Sequence, residues 1–325
     1  YEQTEATGMV PPYGRHLCGR SPVACDFDRD GDLDLYVGNY RLQQNQFWIN
    51  DGGGWFDNQA AWYKVDGELV DGWWGHSIGC QWGDYDNDGD FDLIVCNLAH
   101  PRYIRFSNRT MLYRNDGYDK GFTDVRRELG IKYDECHSEP LWGDLDNDGD
   151  LDLFITSVYP DRRSYLYRND GDRFTDVTFL SGARVFNGWG CALADYDNDG
   201  DLDLVTRNNG GVELFRNDAR GGNWLELTPR SIKLTNQCCI GVIVEVVDSD
   251  GGRQIRNIEG GKGAGSQSSL VVHFGLGDAS VEKVIYSVGE RTIEKTRSVK
   301  NMNIQDNIEF RALGTDQLFQ IRPVK

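Results

Sequence analysis

The sequence predicts an all-β chain: a β-propeller of four repeats, or blades, with an N-terminal strand closing the last blade, followed by a small β-sandwich-like domain. Three observations carry this. A nine-residue acidic segment, Asp26–Asp34 (DFDRDGDLD), recurs at Asp84–Asp92, Asp144–Asp152 and Asp195–Asp203, at offsets of 58, 60 and 51 residues. Short strand-like stretches flank every copy. From Asn223 the acidic segments stop and a different β-rich pattern begins.

Each repeat reads as four strands. Stretches such as GCQWG, EPLWG and GCALA precede the acidic segment, and LIVCN, LFITS and LVTRN follow it. A third strand ends in Asn-Asp (FWIND, MLYRND, SYLYRND, VELFRND), and after a Gly-rich turn a fourth begins (GWFDN, GFTDV, RFTDV). Four short strands per period of this length form the unit of a propeller blade, and such a unit buries both faces only by stacking on its neighbours. The fourth repeat lacks a fourth strand. Tyr1–Gly8 aligns, one residue short, with Phe122–Gly130 and Phe174–Gly182. The first residues are therefore expected to close the last blade; the alternative is a larger ring, with blades trimmed away or supplied by another chain.

The acidic segment has the pattern D-x-D-x-D-G-D-φ-D, with φ apolar. A hard cation such as Ca²⁺ takes six to eight oxygens, and carboxylates at alternate positions wrap around it. Gly at position six permits a sharp turn, position seven offers its carbonyl, and position nine closes the site. Position eight (Leu33, Phe91, Leu151, Leu202) points back into the blade. The expected metal residues are Asp26, Asp28, Asp30, Asp32 and Asp34; Asp84, Asp86, Asp88, Asp90 and Asp92; Asp144, Asp146, Asp148, Asp150 and Asp152; and Asp195, Asp197, Asp199, Asp201 and Asp203. About four Ca²⁺ ions follow, holding blades together rather than doing chemistry.

These repeats resemble the FG-GAP/VCBS repeats of integrin alpha-subunit propellers and of many extracellular bacterial proteins, over roughly residues 1–218. The resemblance implies calcium held by the side chains at positions one, three, five and nine. It also gives the carbonyls of Asp32, Asp90, Asp150 and Asp201 a fifth ligand role.

In the remainder, WLELTP, IGVIVEVVD, SSLVVHFGLG, EKVIYSV, TIEKTRSV and NIEFRA read as strands between Gly-rich turns. The order N-W-L-E-L, I-G-V-I-V-E-V, S-Q-S-S, H-F-G-L-G resembles the ASPIC/UnbV domain of the cartilage acidic protein family. Tyr286–Gly289 departs from the Trp-Pro-Ser-Gly-like turn of such domains, and Asn236–Cys239 from their Asn-Arg-containing stretch. The expected division is 1–220 for the propeller, 221–312 for this domain and 313–325 for a tail.

The charge supports the metal reading. The 325 residues carry 52 acidic and 34 basic side chains, a net charge of −18, and twenty of the acids lie in the four segments. Without a basic stripe to neutralise phosphates, a nucleic-acid partner is excluded. No apolar run is long enough to span a bilayer as a helix. The missing initial Met reads as a trimmed secretory product. Eight cysteines fit an oxidising compartment. Cys80 and Cys96 flank the second segment symmetrically and are expected to pair, and Asn108-Arg109-Thr110 is a glycosylation sequon.

No catalytic motif stands out. His76 and His137, with Arg15, Tyr133, Glu135 and Glu139, sketch at most a polysaccharide-lyase-like site at the channel mouth. Trp82 and Trp142 share a W-G-D context and read as packing between blades. Trp48, Trp55, Trp62, Trp73 and Trp74 crowd the first repeat, also read chiefly as core. The resulting expectation is a secreted or cell-surface, calcium-binding adhesion or structural protein with glycan or protein partners and no membrane span. A calcium-dependent polysaccharide-acting enzyme and a self-assembling filament or sheath subunit are the alternatives.

Overall fold

The computed structural model describes residues 5–10, 17–98, 105, 107–132, 136–219, 221–231, 236–263 and 265–308. Its first sheet holds β1 (Cys18–Cys25), β2 (Asp34–Tyr40), β3 (Gln46–Asn50) and β4 (Phe56–Asn58) in sequential order. The second holds β5 (Ser77–Gly83), β6 (Asp92–Asn97), β7 (Met111–Asn115) and β8 (Phe122–Asp124). The third holds β9 (His137–Gly143), β10 (Asp152–Ser157), β11 (Tyr165–Asn169) and β12 (Phe174–Asp176), followed by the one-turn helix α1 (Thr178–Ser181). The fourth has three described strands, β13 (Gly188–Ala194), β14 (Asp203–Asn208) and β15 (Gly211–Phe215). Each acidic segment is the hairpin loop between the first two strands of its sheet, as the repeat requires.

The first strands β1, β5, β9 and β13 pack side by side in that order. Hence β5 and β9, with a neighbour on both faces, are buried throughout. By contrast, β1 and β13 alternate between buried and exposed residues. Between the first two blades Trp82 stacks on Phe27 (6.3 Å, 23°) and meets Phe47 and Phe122 at 5.6 and 6.1 Å. One blade further, Trp142 stacks on Tyr85 (6.2 Å, 14°) and Phe174 covers both. The two W-G-D tryptophans are therefore packing between blades, and such aromatic clusters supply much of the buried apolar area.

The N-terminal closure expectation falls partly on residues 1–4, outside the described set. Glu5–Gly8 form a turn against the first blade, where Phe56 N–H donates to the Thr7 carbonyl (2.7 Å). Leu129 makes the equivalent bond to Phe174 (2.8 Å), so Thr7 does stand where the alignment put it within a repeat.

The C-terminal unit has seven described strands: β16 (Asn223–Ser231), β17 (Ile243–Asp248), β18 (Arg253–Asn257), β19 (Val272–Gly277), β20 (Val281–Val288), β21 (Arg291–Val299) and β22 (Met302–Ile308). They form sheets β19-β16-β22 and β18-β17-β20-β21 around one core that includes Leu225, Val244, Phe274, Val284 and Tyr286. Sequence reading missed β18. Its only signal is the alternation after the Ser249–Gly252 turn. The expected 313–325 tail lies outside the described residues.

The Cys80–Cys96 disulfide is corrected. Gly83 faces Asp92 in the β5–β6 ladder, so Cys80 faces Val95 and Cys96 faces Gly79. One residue of offset puts the two thiols on opposite faces of the sheet, in different core clusters, and all eight cysteines are free. The sequon is likewise spent: Asn108 is buried, its amide donating to the Glu68 carbonyl (2.6 Å) and accepting from Glu68 N–H (3.0 Å). The tryptophan cluster divides, with Trp48 in the core and Trp55, Trp62 and Trp73 exposed.

The packing predicts a contrast. Trp82→Ala should lower unfolding free energy by about 3–5 kcal/mol, whereas Trp62→Ala should stay within about 0.5 kcal/mol. Urea denaturation of both variants measures the difference.

Candidate metal centres

Each hairpin loop is built the same way. Position four, Arg29, Asn87, Asn147 or Asn198, takes a left-handed φ of 55–61°, and the glycine at position six has φ between 94° and 105°. Only glycine adopts the latter without strain. The turn brings the position-six N–H onto the position-one carboxylate: Gly31 to Asp26 (3.1 Å), Gly89 to Asp84 (3.2 Å), Gly149 to Asp144 (2.9 Å) and Gly200 to Asp195 (2.8 Å). At position nine, Asp34, Asp92, Asp152 and Asp203 accept from the backbone N–H of Asn50, Asn115, Asn169 and Asn217, at 2.8–2.9 Å.

Acidic oxygens converge in all four loops. Asp26, Asp28 and Asp30; Asp84, Asp86 and Asp92; Asp144, Asp146 and Asp152; and Asp195, Asp197 and Asp199 each place one oxygen within 4.8 Å of the others. Asp32, Asp90, Asp150 and Asp201 do not join these groups. Two of these position-seven side chains serve another purpose, Asp150 accepting from Asn87 (2.8 Å) and Asp201 from Asn147 (2.7 Å). Asp34, Asp88, Asp148 and Asp203 also lie outside the groups.

The donor set fits a hard divalent cation. Asp26, Asp34, Asp84 and Asp144 are almost fully buried, and each keeps one oxygen with no hydrogen-bond partner. Burial pushes Asp26 up to about 6, Asp84 and Asp144 to about 7, and Asp34 and Asp152 to about 8. Carboxylates stripped of water need a positive charge nearby to stay ionised. A calcium ion would supply that charge, with all-oxygen ligands of the hard type it prefers.

The loops are linked in series. Arg29 donates to the Gly89 carbonyl, Asn87 to the Gly149 carbonyl (3.3 Å) and Asn147 to the Gly200 carbonyl (3.4 Å). The C-terminal domain then rests on the row. Gly289 N–H reaches Asp26, and Gly277 N–H donates to Asn147 O (2.8 Å). A β-carbon at Gly275 would fall 2.0 Å from Asp144 Oδ2. His273 Nε2–H donates to Gly200 O (3.0 Å), and burial lowers this imidazole to about 4, so it is neutral. Arg256 lies between the second and third loops, drawn to Asp144 and Asp84.

Sequence reading gave no role to two groups. The asparagine ending each third strand braces its loop: Asn169 donates to Tyr85 O (2.8 Å) and Leu151 O (3.3 Å) and accepts from Gly171 N–H (3.0 Å). Its signal was the recurring Asn-Asp, noted without a function. Lys262, buried at the centre, donates to Pro140 O (3.1 Å) and Cys191 O (3.2 Å), with Glu139 at 3.7 Å. Nothing local in its Gly-rich turn marks it.

The channel-mouth histidines are not an open site. His76 is buried against Tyr40 (4.6 Å), and His137 is buried with Nδ1 2.8 Å from Thr110 Oγ1. Glu139 faces Lys262, and the segment around Lys262 fills the centre between the first strands. Arg15, Tyr133 and Glu135 lie outside the described residues.

Asn169→Ala should therefore lower stability by about 2–3 kcal/mol, since two buried carbonyls lose their donor. The urea midpoint measures this, and an unchanged midpoint contradicts the bracing role.

Comparison with known proteins agrees with this construction. Residues 26–95 and 144–206 match the FG-GAP-like repeat model, and residues 233–301 match the ASPIC and UnbV model. Cartilage acidic protein 1 of Mus musculus is 25% identical over 283 residues, covering 82% of this chain and 41% of that protein. The Homo sapiens protein is 26% identical over 263 residues, covering 76% and 37%. The chain thus spans about two fifths of the length of these relatives. A solved structure concerning recognition of non-reducing terminal N-acetylglucosamine by an Agrocybe aegerita lectin is 19% identical, with a TM-score of 0.33, over 63% of this chain and 54% of that one. Residues 26–95 and 144–206 are thus FG-GAP-like repeats, and residues 233–301 an ASPIC/UnbV domain.

Proposed function

We propose that this protein is an extracellular, calcium-binding adhesion or structural scaffold. About four Ca²⁺ ions stiffen the blades, and exposed loops meet a glycan or protein partner. The observation that carries the reading is the set of four equivalent acidic loops, three of which bury position-one carboxylate oxygens that no hydrogen bond satisfies. Ion binding there adds rigidity, because the converging carboxylates lie in the hairpin turns that join the first two strands of each blade. The similarity to cartilage acidic protein 1 supports the extracellular setting. No described helix is long and apolar enough to cross a membrane.

Trp55, Trp62 and Trp73 supply the candidate contact surface. They are 49–69% exposed on the segment between β3 and β5, and flat aromatic faces of this kind stack on sugar rings or anchor protein partners. The burial of His76 and His137 leaves the lyase-like alternative without a described site.

Two measurements test the proposal. A cation that binds only the folded state stabilises it by about 3 kcal/mol per site at a hundredfold excess over Kd. Excess EDTA should therefore lower the melting temperature strongly; an unchanged value rejects structural calcium. A glycan array probed in calcium should show binding that falls on Trp62→Ala. A blank array with folded protein would reject the glycan partner and leave a protein partner.

A further inference from the structure

A polar row crosses the face of the β19-β16-β22 sheet that is turned away from its own core. Leu225 and Leu227 on β16 enter that core, with Phe274 and Val272 opposite them on β19. Side chains alternate along a strand, so Glu226 and its direct cross-strand partner His273 point the other way. Asn303 on β22 lies level with Glu226 and bonds to its carboxylate. This face meets the fourth acidic loop. His273 Nε2–H is held by the Gly200 carbonyl (3.0 Å), and Asp195 is close enough for its charge to act on both Glu226 and His273.

Each of the two lacks a partner that its chemistry calls for. Glu226 is 5% exposed and His273 7%. A carbonyl only accepts, so the proton of the neutral imidazole sits on Nε2 and Nδ1 presents a lone pair. That Nδ1 is buried with no hydrogen-bond partner. No described cation pairs with Glu226: Arg256 is drawn to Asp144 and Asp84, and Lys262 is held by the Pro140 and Cys191 carbonyls beside Glu139. A buried acceptor without a donor and a buried carboxylate without a counter-charge are both costly. Glu226 and His273 line a cavity of about 130 Å³ together with Asp195 and Ser269. A second cavity of about 390 Å³, bordered by the exposed Asn198 and Asn303, shares Asp195, Glu226 and Ser269 with it.

We propose that His273 Nδ1 and Glu226 form a further cation site, separate from the four acidic loops, for a divalent transition metal of the zinc type. One imidazole nitrogen beside one carboxylate suits zinc or copper, whereas calcium takes oxygen ligands alone. The surroundings have the form that such ligands require: the second ring nitrogen is fixed on a backbone carbonyl and the carboxylate is held by an amide. Water fills the remaining coordination positions, for which the two adjoining cavities give room and a way in. A cation there satisfies the orphaned nitrogen and the unpaired carboxylate together, at the seam between the C-terminal domain and the fourth loop.

Zinc titrated into the full chain tests this, with saturating calcium to fill the acidic loops and accessible thiols alkylated to silence the exposed Cys238. Competition against a chromophoric zinc chelator should report saturable binding that calcium does not displace. Glu226→Gln keeps a partner for Asn303, and the amide of His273→Gln still donates to Gly200. Each should weaken zinc binding by at least about tenfold. Copper supplies a second readout: the EPR spectrum of the unaltered chain loaded with Cu²⁺ under the same conditions should carry coupling to an imidazole nitrogen. Absence of zinc binding in calcium, or binding equally tight in both variants, overturns the proposal. A copper spectrum without nitrogen coupling overturns it whether or not the variants fold.

Discussion

Everything in this molecule depends on keeping a dense set of carboxylates together in short turns. Each loop gathers five aspartates within nine residues; the first three bury those at positions one and nine, and the fourth buries Asp203. Left to themselves such groups repel, and burial drives them toward the neutral form. The fold counters this locally with backbone N–H groups: glycine onto position one, third-strand asparagine onto position nine. Those donors leave particular buried oxygens unsatisfied, and a divalent cation is the natural complement. The nine-residue loop is therefore both the hairpin that makes a blade and the place where the blade needs an ion.

The loops also connect the parts of the molecule. Position four of one loop bonds to position six of the next, so the four turns form a continuous row across the blades. Against that row the C-terminal domain sets backbone at Gly275, Gly277 and Gly289, and at Gly275 and Gly289 a side chain has no room. From the same domain Lys262 reaches inward to carbonyls on β9 and β13, with Glu139 facing it. The domain is thus seated on the loops and plugged into the centre between the blades. Ordering of the loops and seating of the domain are coupled through shared hydrogen bonds.

Much of this was legible in the sequence. The repeat, the loop spacing, the strand order within blades and the two W-G-D tryptophans follow from local periodicity, and the structure bears them out. What local pattern could not give is what depends on register or distant contact. The Cys80–Cys96 pairing failed by one residue of ladder register, a quantity set by the whole loop. The seat of the C-terminal domain joins residues more than a hundred positions apart, such as Lys262 and Pro140. Exposure of Trp55, Trp62 and Trp73 depends on which segments the blades leave uncovered. The position-seven residues are expected to act through their carbonyls, and the side chains of Asp150 and Asp201, to which the sequence pattern assigns nothing, bond to the preceding loop.

Hydrogen–deuterium exchange of the full chain, followed with calcium and after chelation, tests the central coupling most directly. The account predicts that removing calcium loosens the four acidic loops and, together with them, the backbone amides around Gly275–Gly277 and Gly289. Loops that lose protection while those C-terminal amides keep theirs would contradict it.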